Sequence, residues 1–189
     1  MKVDNVKVYG MEESFRASKF PMKSDVEMAT EDLTEVVSSL ARAEIGSGHD
    51  NFLNGIIVQF DLTFSNKAWV ELQRYHFIDF VSSQSTMHMA TRMDFRKMCN
   101  KYVDPVIIDA LEVIRNNYLA HKTEENFLRL IYNIPSGFEL TARMTTNYRQ
   151  LKTIYAQRKN HRLPDWKEFC RWLETLPHSE FITREGHDS

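Results

Sequence analysis

The segment from Thr145 to Pro164 carries only basic charges, and the acid-free run extends back to Leu140. Its cations are Arg149, Lys152, Arg158, Lys159 and Arg162. The whole chain has a formal net charge of -2, so the segment is a local exception. A helix of like charges repels itself unless an anion or an acidic neighbour compensates. The pattern therefore indicates either a solvated helix face or a surface that binds an anion such as a phosphate group.

The spacing of two of these arginines indicates which kind of site could use them. Arg149 and Arg158 are nine positions apart (158 − 149 = 9), so at about 100° per residue they lie on opposite sides of a helix. One pocket in one chain could hardly use both, whereas two pockets at subunit interfaces could. Asn147, followed three positions later by Gln150, resembles a capping box and predicts where this helix begins.

The bulk composition predicts a single domain over residues 1–189. A chain of 189 residues with 42% hydrophobic residues can bury a sizeable core. No apolar run approaches the roughly 20 residues that span a bilayer, and the N-terminus lacks a secretory pattern. Cys99 and Cys170 have no metal-ligand spacing, so we expect no metal site. These features predict a cytoplasmic protein, and a bacterial or phage origin fits them.

Strands and helices are predicted from the hydrophobic period. Alternating residues predict strands at 2–9, 57–64 and 138–145. Helical spacing and capping residues predict helices beginning at the cap Thr30 and over 67–76, 104–121, 123–133, 147–160 and 165–176, followed by a polar tail, 177–189. The order lacks βαβ regularity, which predicts an α+β fold with helices packed on a mixed or antiparallel sheet.

Three motifs together resemble the flavin-dependent thymidylate synthases. The order Asn147-Tyr-Arg149-Gln-Leu151-x-x-Ile-Tyr-x-x-Arg158 is similar to the family helix N-x-R-S-L-x-x-F-L-x-x-R. Pro135 stands twelve positions before Asn147, as in the family's L-P element. Gly48-His49 followed by Arg74 (74 − 49 = 25) reproduces the family's G-H…R-H-R spacing, with VQFDLTF in the place of F-T-F-H-V. The resemblance runs from about residue 48 to residue 158.

The resemblance implies a homotetramer in which subunits share FAD. It implies flavin contacts from the following residues: His49, Asn51, Arg74, His76, Asn147, Arg149 and Thr153. Arg158 and Ser85 would be catalytic, and a dUMP-like nucleotide would contact Arg74, Gln84, Ser85 and Arg158. Arg158 would polarise the pyrimidine of a neighbouring subunit's substrate. The implied reaction transfers a one-carbon unit from methylenetetrahydrofolate to C5 of the nucleotide, with NADPH reducing the flavin.

The sequence also departs from the family pattern. R-H-R-x-x-S is here RYHFID, from Arg74 to Asp79, and E-x-S-x-R-Y falls on SSQSTMHM. The phosphate-holding arginine is therefore missing, although Arg92 could supply its charge, and the family's Arg before L-P falls on Ile131. Methionine does not replace a bidentate arginine contact with phosphate. A homologue that binds flavin or nucleotide without methyl transfer is the alternative.

A DNA-binding module is the alternative from a different class of protein. Helix 147–160, a short turn and the following helix could form a helix-turn-helix with Arg149, Lys152 and Lys159 on phosphates. The second helix carries the acids Asp165, Glu168 and Glu174, which is unusual for a recognition helix. Nucleic acid is therefore an unfavoured partner. The helix-spaced residues Trp166, Phe169, Trp172 and Leu173 predict a core or an interface.

Overall fold

A four-stranded antiparallel sheet forms the centre of the protein. The computed structural model describes residues 1–183, and the strand order in the sheet is β1-β2-β4-β3. The strands are β1 Lys2–Tyr9, β2 Ile57–Ser65, β3 Ile78–Ser83 and β4 Glu139–Asn147. Every neighbouring pair is antiparallel, so the predicted α+β class is confirmed.

The central pair of strands follows directly from the alternation in the sequence. β2 and β4 pair along their whole length, from Ile57 opposite Asn147 to Ser65 opposite Glu139. Side chains alternate between the two faces of a strand, so every second residue of β2 enters the core. These buried residues are Val58, Phe60, Leu62 and Phe64. The three predicted strands are thereby confirmed.

Ten helices surround the sheet within residues 1–183. They are α1 Met11–Ser18, α2 Glu35–Arg42, α3 Asn66–Leu72, α4 Thr86–Met89, α5 Phe95–Met98, α6 Pro105–Ala120, α7 Glu124–Tyr132, α8 Tyr148–Arg158, α9 Pro164–Leu173 and α10 Glu180–Thr183. Asp104 and Thr123 cap α6 and α7 through side-chain oxygens, as predicted. None of these helices is both long and apolar enough to cross a membrane.

Two apolar clusters fill the interior. The larger one lies between the sheet and α8, α9 and α10, and it includes Trp166, Phe169 and Leu173 of α9. The prediction that the apolar residues of this helix form a core or an interface is confirmed for these three as core, and Trp172 packs against the same cluster partly buried. The smaller cluster joins α5, α6 and α7 around Phe95 and Phe138. The long helix α6 therefore packs outside the main core, against α7.

The structure corrects three details of the predicted elements. β3 was not predicted, because its apolar residues do not alternate and its last five residues are all exposed, Phe80 and Val81 among them. α2 begins later than predicted, since Thr34 and not Thr30 accepts the capping bond from the Val37 N–H at 3.3 Å. The predicted polar tail, 177–189, differs too, because Phe181 is buried in the main core.

Residues 184–189 of that predicted tail, including His187, lie outside the described residues. Within the described part, His178 stacks on Phe181 with ring centroids 5.3 Å apart, and Phe15 of α1 meets both rings edge-on. The Tyr148 hydroxyl donates to the Pro177 carbonyl at 2.6 Å. The chain beyond α9 is thus fastened to the start of α8.

Candidate functional site

The predicted site residues fall into three groups in the chain. The first group surrounds the N-terminal end of α8 and comprises His49, Asn51, Asn147, Arg149 and Thr153. The second lies at the C-terminal end of α8 and in the turn after α3, and comprises Arg74, His76 and Arg158. The third follows the edge strand β3 and comprises Gln84 and Ser85.

The first group is assembled where β2 begins and β4 ends. Ile57 pairs with Asn147, and the Tyr148 N–H donates to the Ile56 carbonyl at 3.0 Å. The Asn147 side chain caps α8 by accepting from the Gln150 N–H at 2.8 Å, which confirms the predicted start of the helix. The loop before β2, which carries His49 and Asn51, is therefore held beside the first turn of α8.

A buried carboxylate joins that loop to α8. Asp50 is 0% exposed, and its Oδ1 accepts from Arg149 Nε at 3.1 Å while its Oδ2 accepts from Lys152 Nζ at 2.9 Å. A buried charge needs opposite charges and hydrogen bonds to offset its lost hydration. Asp50 obtains both from α8, so the position beside His49 is fixed by an ion pair.

Lys152 makes a further connection to the end of α2. Its ammonium group also donates to the Ala41 and Ala43 carbonyls, and the residue is 2% exposed. Three acceptors use the three N–H bonds of the ammonium group. Lys152 therefore clamps both ends of the loop from Ala43 to Asp50. Within that loop Gly46 and Gly48 have positive φ of 94° and 82°.

Arg149 keeps part of its guanidinium at the surface. Its side chain is 34% exposed, and within residues 1–183 it pairs with Asp50 through Nε. The outer nitrogens, Nη1 and Nη2, remain as donors beside the exposed His49 and Asn51. Thr153 sits one turn further on, and its hydroxyl donates back to the Arg149 carbonyl at 3.3 Å. This end of α8 presents donors suited to an anion.

Arg158 lies in a closed cluster at the other end of α8. It is 6% exposed, and its Nε donates to the Tyr75 hydroxyl at 2.7 Å while its Nη1 donates to Glu71 Oε2 at 3.1 Å. The guanidinium also stacks on the Trp166 ring at 4.6 Å from the centroid. The nitrogens of Arg158 are therefore directed at groups of its own chain.

Glu71 is the centre of this cluster. Besides Arg158, its Oε2 accepts from the Trp166 indole N–H at 2.9 Å and lies 3.5 Å from His161 Nε2, while its Oε1 pairs with Lys67 at 3.2 Å. Burial raises the pKa of Glu71, but hydrogen bonds from Trp166 and Lys67 outweigh that effect and hold the pKa below its ordinary value. Glu71 is therefore a carboxylate at neutral pH.

Arg74 and His76 flank this cluster on the outside. Both side chains are exposed, and the Arg74 guanidinium lies 5.9 Å from the centre of the Tyr75 ring. Phe77, the next residue, has a positive φ of 58° and starts the turn into β3. Among the predicted site residues at this end of α8, these two have exposed side chains.

The third group is tied to the sheet through its backbone. The Gln84 N–H donates to the Thr141 carbonyl at 3.0 Å, and its side-chain Oε1 accepts from the Thr141 N–H at 2.9 Å. Gln84 thus extends the pairing of β3 with β4 by one residue. Ser85 follows at the start of α4 and makes no side-chain capping bond there.

The three groups are too far apart in one chain to share a small ligand. α8 has 11 residues, so its two ends are separated by about 15 Å at 1.5 Å per residue. Thr141 and Asn147 lie at opposite ends of β4, about 20 Å apart at roughly 3.3 Å per residue. The fold brings His49, Asn147 and Arg149 together, and it separates Gln84 and Ser85 from them.

The interpretation that the cations of the acid-free segment lack counter-ions is wrong for three of them. Arg149 and Lys152 share Asp50, and Arg158 pairs with Glu71. Both acids are far away in sequence, so the segment alone could not reveal them. The helix-turn-helix alternative required Lys152 to contact DNA phosphates, and this side chain is buried.

Comparison with known proteins adds a fold to this geometry. No protein-family model matches the sequence, and no curated protein matches it. Solved structures do match over almost the whole chain. One is the crystal structure of thymidylate synthase X (ThyX) from Helicobacter pylori with FAD and dUMP, at 18% identity and a TM-score of 0.77, covering 98% of each chain. Another crystal structure of the H. pylori flavin-dependent enzyme with the same two ligands gives 17% identity and a TM-score of 0.76.

The chain therefore has the fold of the ThyX flavin-dependent thymidylate synthases, and the resemblance predicted from the sequence is confirmed at the level of the fold. Donors of the first group fit the pyrophosphate of FAD by their chemistry: a guanidinium with free outer nitrogens, an exposed imidazole and two amides. The third group offers no cation of its own to a nucleotide phosphate. Among residues 1–183 no cluster of three His, Cys, Asp or Glu side chains suits a metal ion.

Proposed function

We propose that this protein is a divergent flavin-dependent thymidylate synthase-like enzyme that binds FAD at subunit interfaces. The observation that supports the proposal most strongly is the match to ThyX along 98% of both chains, since those structures hold FAD and dUMP. The donors at the N-terminal end of α8 add chemistry that suits the same cofactor. The product would be a pyrimidine nucleotide carrying a new one-carbon unit at C5.

The flavin site is built on the first group of residues. Arg149 would bind the pyrophosphate through its outer nitrogens, with His49 and Asn51 alongside. Asn147 and Thr153 would complete the contact surface along the first turns of α8. Arg74 and His76 would meet the same cofactor from another copy of the chain. When bound, FAD supplies the hydride, and these residues bind and orient the ring system and shield it from water.

The nucleotide side depends on Arg158, Ser85, Gln84 and Arg74. Arg158 is the proposed group for polarising the pyrimidine carbonyl, which requires its guanidinium to share its Glu71 contact with the substrate. Ser85, with no capping bond, has its hydroxyl available for the nucleotide, and Gln84 lies next to it. The exposed Arg92 can meet the phosphate where the family arginine is missing.

A homotetramer is part of the proposal because one chain does not complete the site. The three groups lie about 15 to 20 Å apart within a chain, so only other copies can bring them to one ligand. α6 also carries exposed apolar side chains, and two of them, Val106 and Val113, are seven positions apart and share one face of the helix. Faces of this kind are typical of subunit contacts.

NADPH and methylenetetrahydrofolate are the proposed co-substrates. Transfer of a methylene unit to C5 followed by reduction requires one donor for the carbon and one for the hydride that re-reduces FAD. This chain would hold both near the flavin, and its exposed cations at the N-terminal end of α8 suit their anionic groups. The proposed setting is the cytoplasm, where both compounds are available.

A homologue that binds flavin and nucleotide without methyl transfer is the second candidate. The specific observation in its favour is the enclosure of Arg158 by Glu71, Tyr75 and Trp166. A guanidinium that is already neutralised by a carboxylate polarises a carbonyl weakly. The two candidates share the flavin site and differ in turnover.

The test is a purification followed by an assay. Protein purified without added cofactor is examined for the flavin absorption maximum, then given FAD, dUMP, NADPH and methylenetetrahydrofolate. The enzyme proposal predicts a yellow protein and formation of dTMP, which falls to background in Arg158→Ala with flavin still bound. A yellow protein without dTMP supports the second candidate. Colourless protein that takes up no FAD refutes both.

A further inference from the structure

Lys152 is the charged side chain of α8 that the proposed function leaves without a task. It lies at none of the positions on which the resemblance to ThyX rests, and it is buried. A lysine that needs only to support a helix would be exposed, since burying its charge costs free energy. The structure therefore raises the question of what the buried ammonium group does for its neighbours.

Lys152 shares the Asp50 carboxylate with Arg149, and the two cations differ in their exposure to solvent. Asp50 Oδ2 accepts a hydrogen bond from Lys152 Nζ at 2.9 Å, and Asp50 Oδ1 accepts one from Arg149 Nε at 3.1 Å. Lys152 is closed off, because its three N–H bonds end on Asp50 and two backbone carbonyls. Arg149 remains open, because its side chain is 34% exposed and its outer nitrogens lie at the surface.

The charges of this triad add up to one surplus positive charge. Lys152 and Arg149 contribute +1 each and Asp50 contributes −1, which leaves +1 for the group. Since Lys152 is shielded from solvent, a ligand in solution meets the surplus positive charge at Arg149. Without Lys152, Arg149 would be the only cation beside the Asp50 carboxylate. The pair would then have no net charge to attract an anion to the outer nitrogens of Arg149.

We propose that Lys152 is a positioning residue which, by holding one oxygen of the Asp50 carboxylate, leaves a net positive charge at Arg149 and keeps its guanidinium oriented for an anionic ligand. The inference rests on the proposed function in that FAD is the expected ligand, with its pyrophosphate at Arg149. The Asp50 contact to Nε also fixes the plane of the guanidinium and with it the directions of the outer nitrogens. Lys152 and Asp50 together thus orient the Arg149 guanidinium and leave a net positive charge on the group.

The test compares four variants with the wild-type protein in FAD titrations by calorimetry. Lys152→Met removes the buried charge at nearly constant volume and is expected to weaken FAD binding about tenfold, about the size of one charged contact. The double variant Asp50→Asn with Lys152→Met restores the surplus at Arg149 and is expected to return within about threefold of wild type. Asp50→Asn alone is expected to bind at least as tightly as wild type. Lys167→Met, an exposed cation of α9, is the control and is expected to change binding less than about twofold.

The rescue separates an electrostatic role from a merely structural one. If Lys152 only held the fold, removing Asp50 as well would leave binding as weak as in the single variant, and that result would overturn the proposal. Wild-type binding in Lys152→Met would overturn it as well. If Lys152→Met fails to fold, Asp50→Asn is compared with the double variant instead. Because Lys152 acts through Asp50, the proposal predicts FAD affinities within about threefold of each other there, and a tenfold or larger loss in the double variant would overturn it.

A second probe distinguishes failure of this inference from failure of the proposed function. Inorganic pyrophosphate is titrated into the same variants. If FAD does not bind but pyrophosphate binds in the expected order of variants, the flavin function fails and the role of Lys152 stands. If FAD binds wild type and Lys152→Met equally, the flavin function stands and the role of Lys152 falls. A wild-type protein that binds neither probe contradicts both.

Discussion

At the open, N-terminal end of α8, Arg149 donates a hydrogen bond from Nε to Asp50 and keeps its outer nitrogens at the surface. At the C-terminal end, Arg158 is enclosed by Glu71, Tyr75 and Trp166. The two arginines belong to one motif and one helix, yet their surroundings differ. A third cation, Lys152, decides the difference at the first end, because it takes half of the carboxylate. The second end has no comparable buried lysine among the described contacts of Glu71.

The comparison shows that a count of charges in a segment does not give the charge available to a ligand. The acid-free segment has several cations, but three of them pair with two acids, Asp50 in the loop before β2 and Glu71 of α3. In the flavin half of the proposed site Arg149 keeps part of its guanidinium exposed, whereas in the nucleotide half Arg158 is enclosed with Glu71. This difference parallels the sequence, in which the flavin-contacting matches are kept better than the nucleotide-contacting ones.

The largest loss of unfolding free energy is expected from removing Arg158 at the closed, C-terminal end of α8. Arg158→Met leaves the Glu71 carboxylate without its buried partner, which typically costs about 3 kcal/mol of unfolding free energy. Urea denaturation followed by circular dichroism measures this loss. Arg162→Met, an exposed cation four positions further along, is the matched control and is expected to stay within about 0.5 kcal/mol of wild type. Equal stability of the two variants would show that the enclosed arginine contributes nothing to the fold.

A smaller effect is expected from neutralising the acid of the same cluster. Glu71→Gln keeps the shape and some of the hydrogen bonds, so we expect a loss of about 1.5 kcal/mol at neutral pH. Because the pKa of Glu71 is held below its unfolded value of 4.5, the carboxylate stabilises the fold above that pH. This contribution disappears as the pH falls through the lower pKa of the folded state.

Thermal denaturation between pH 6 and pH 3 checks this sign. The stability difference between wild type and Glu71→Gln should narrow as the pH falls below about 4.5. A difference that stays constant or widens with acid would contradict a Glu71 carboxylate whose pKa is lowered by its hydrogen bonds with Trp166 and Lys67.

A still smaller effect on stability is expected at the open end. Arg149→Met removes one of two cations from Asp50, and Lys152 remains to offset the buried carboxylate. We therefore expect a loss of about 1 kcal/mol, measured in the same urea titration. A loss as large as that of Arg158→Met would mean that the two ends of α8 do not differ in the way that their contacts indicate.

The least change is expected in thiol labelling of the folded protein. Burial and the nearby Glu174 raise the pKa of Cys170, on α9, to about 11, so this thiol should stay unlabelled by a maleimide at pH 8. Arg158→Met should expose it, since α8 and α9 are then held less tightly. Mass spectrometry distinguishes Cys170 from the half-buried Cys99. Rapid labelling of Cys170 in the wild-type protein would show that the closed end opens readily.

Much of the fold could be predicted because its signals are local. The alternation of apolar residues predicted β2 and β4, and the capping residue Asn147 predicted the start of α8. Both signals come from residues a few positions apart. β3 escaped because an edge strand with exposed Phe80 and Val81 lacks a clear period. Thr30 and Thr34 are both capping residues by type, and only the structure shows which one the helix uses.

The candidate site was harder to predict because its decisive contacts join distant residues. Lys152 and Asp50 are separated by 102 positions, and Arg158 and Glu71 by 87. Asp50 follows His49 in the sequence without any motif that marks it as a counter-ion. Glu71 lies in an amphipathic helix where an acid four positions after Lys67 is ordinary. Sequence spacing could identify the arginines, but it could not identify what neutralises them.

The central claim is that Arg149, at the open N-terminal end of α8, binds flavin and that Arg158, enclosed at the C-terminal end, does not. The direct measurement is a titration of FAD fluorescence with wild type, Arg149→Met and Arg158→Met at a temperature where all three are folded. The account predicts that Arg149→Met weakens FAD binding by about tenfold or more, while Arg158→Met stays within about threefold of wild type. Retention of FAD by Arg149→Met together with its loss from Arg158→Met would contradict the account.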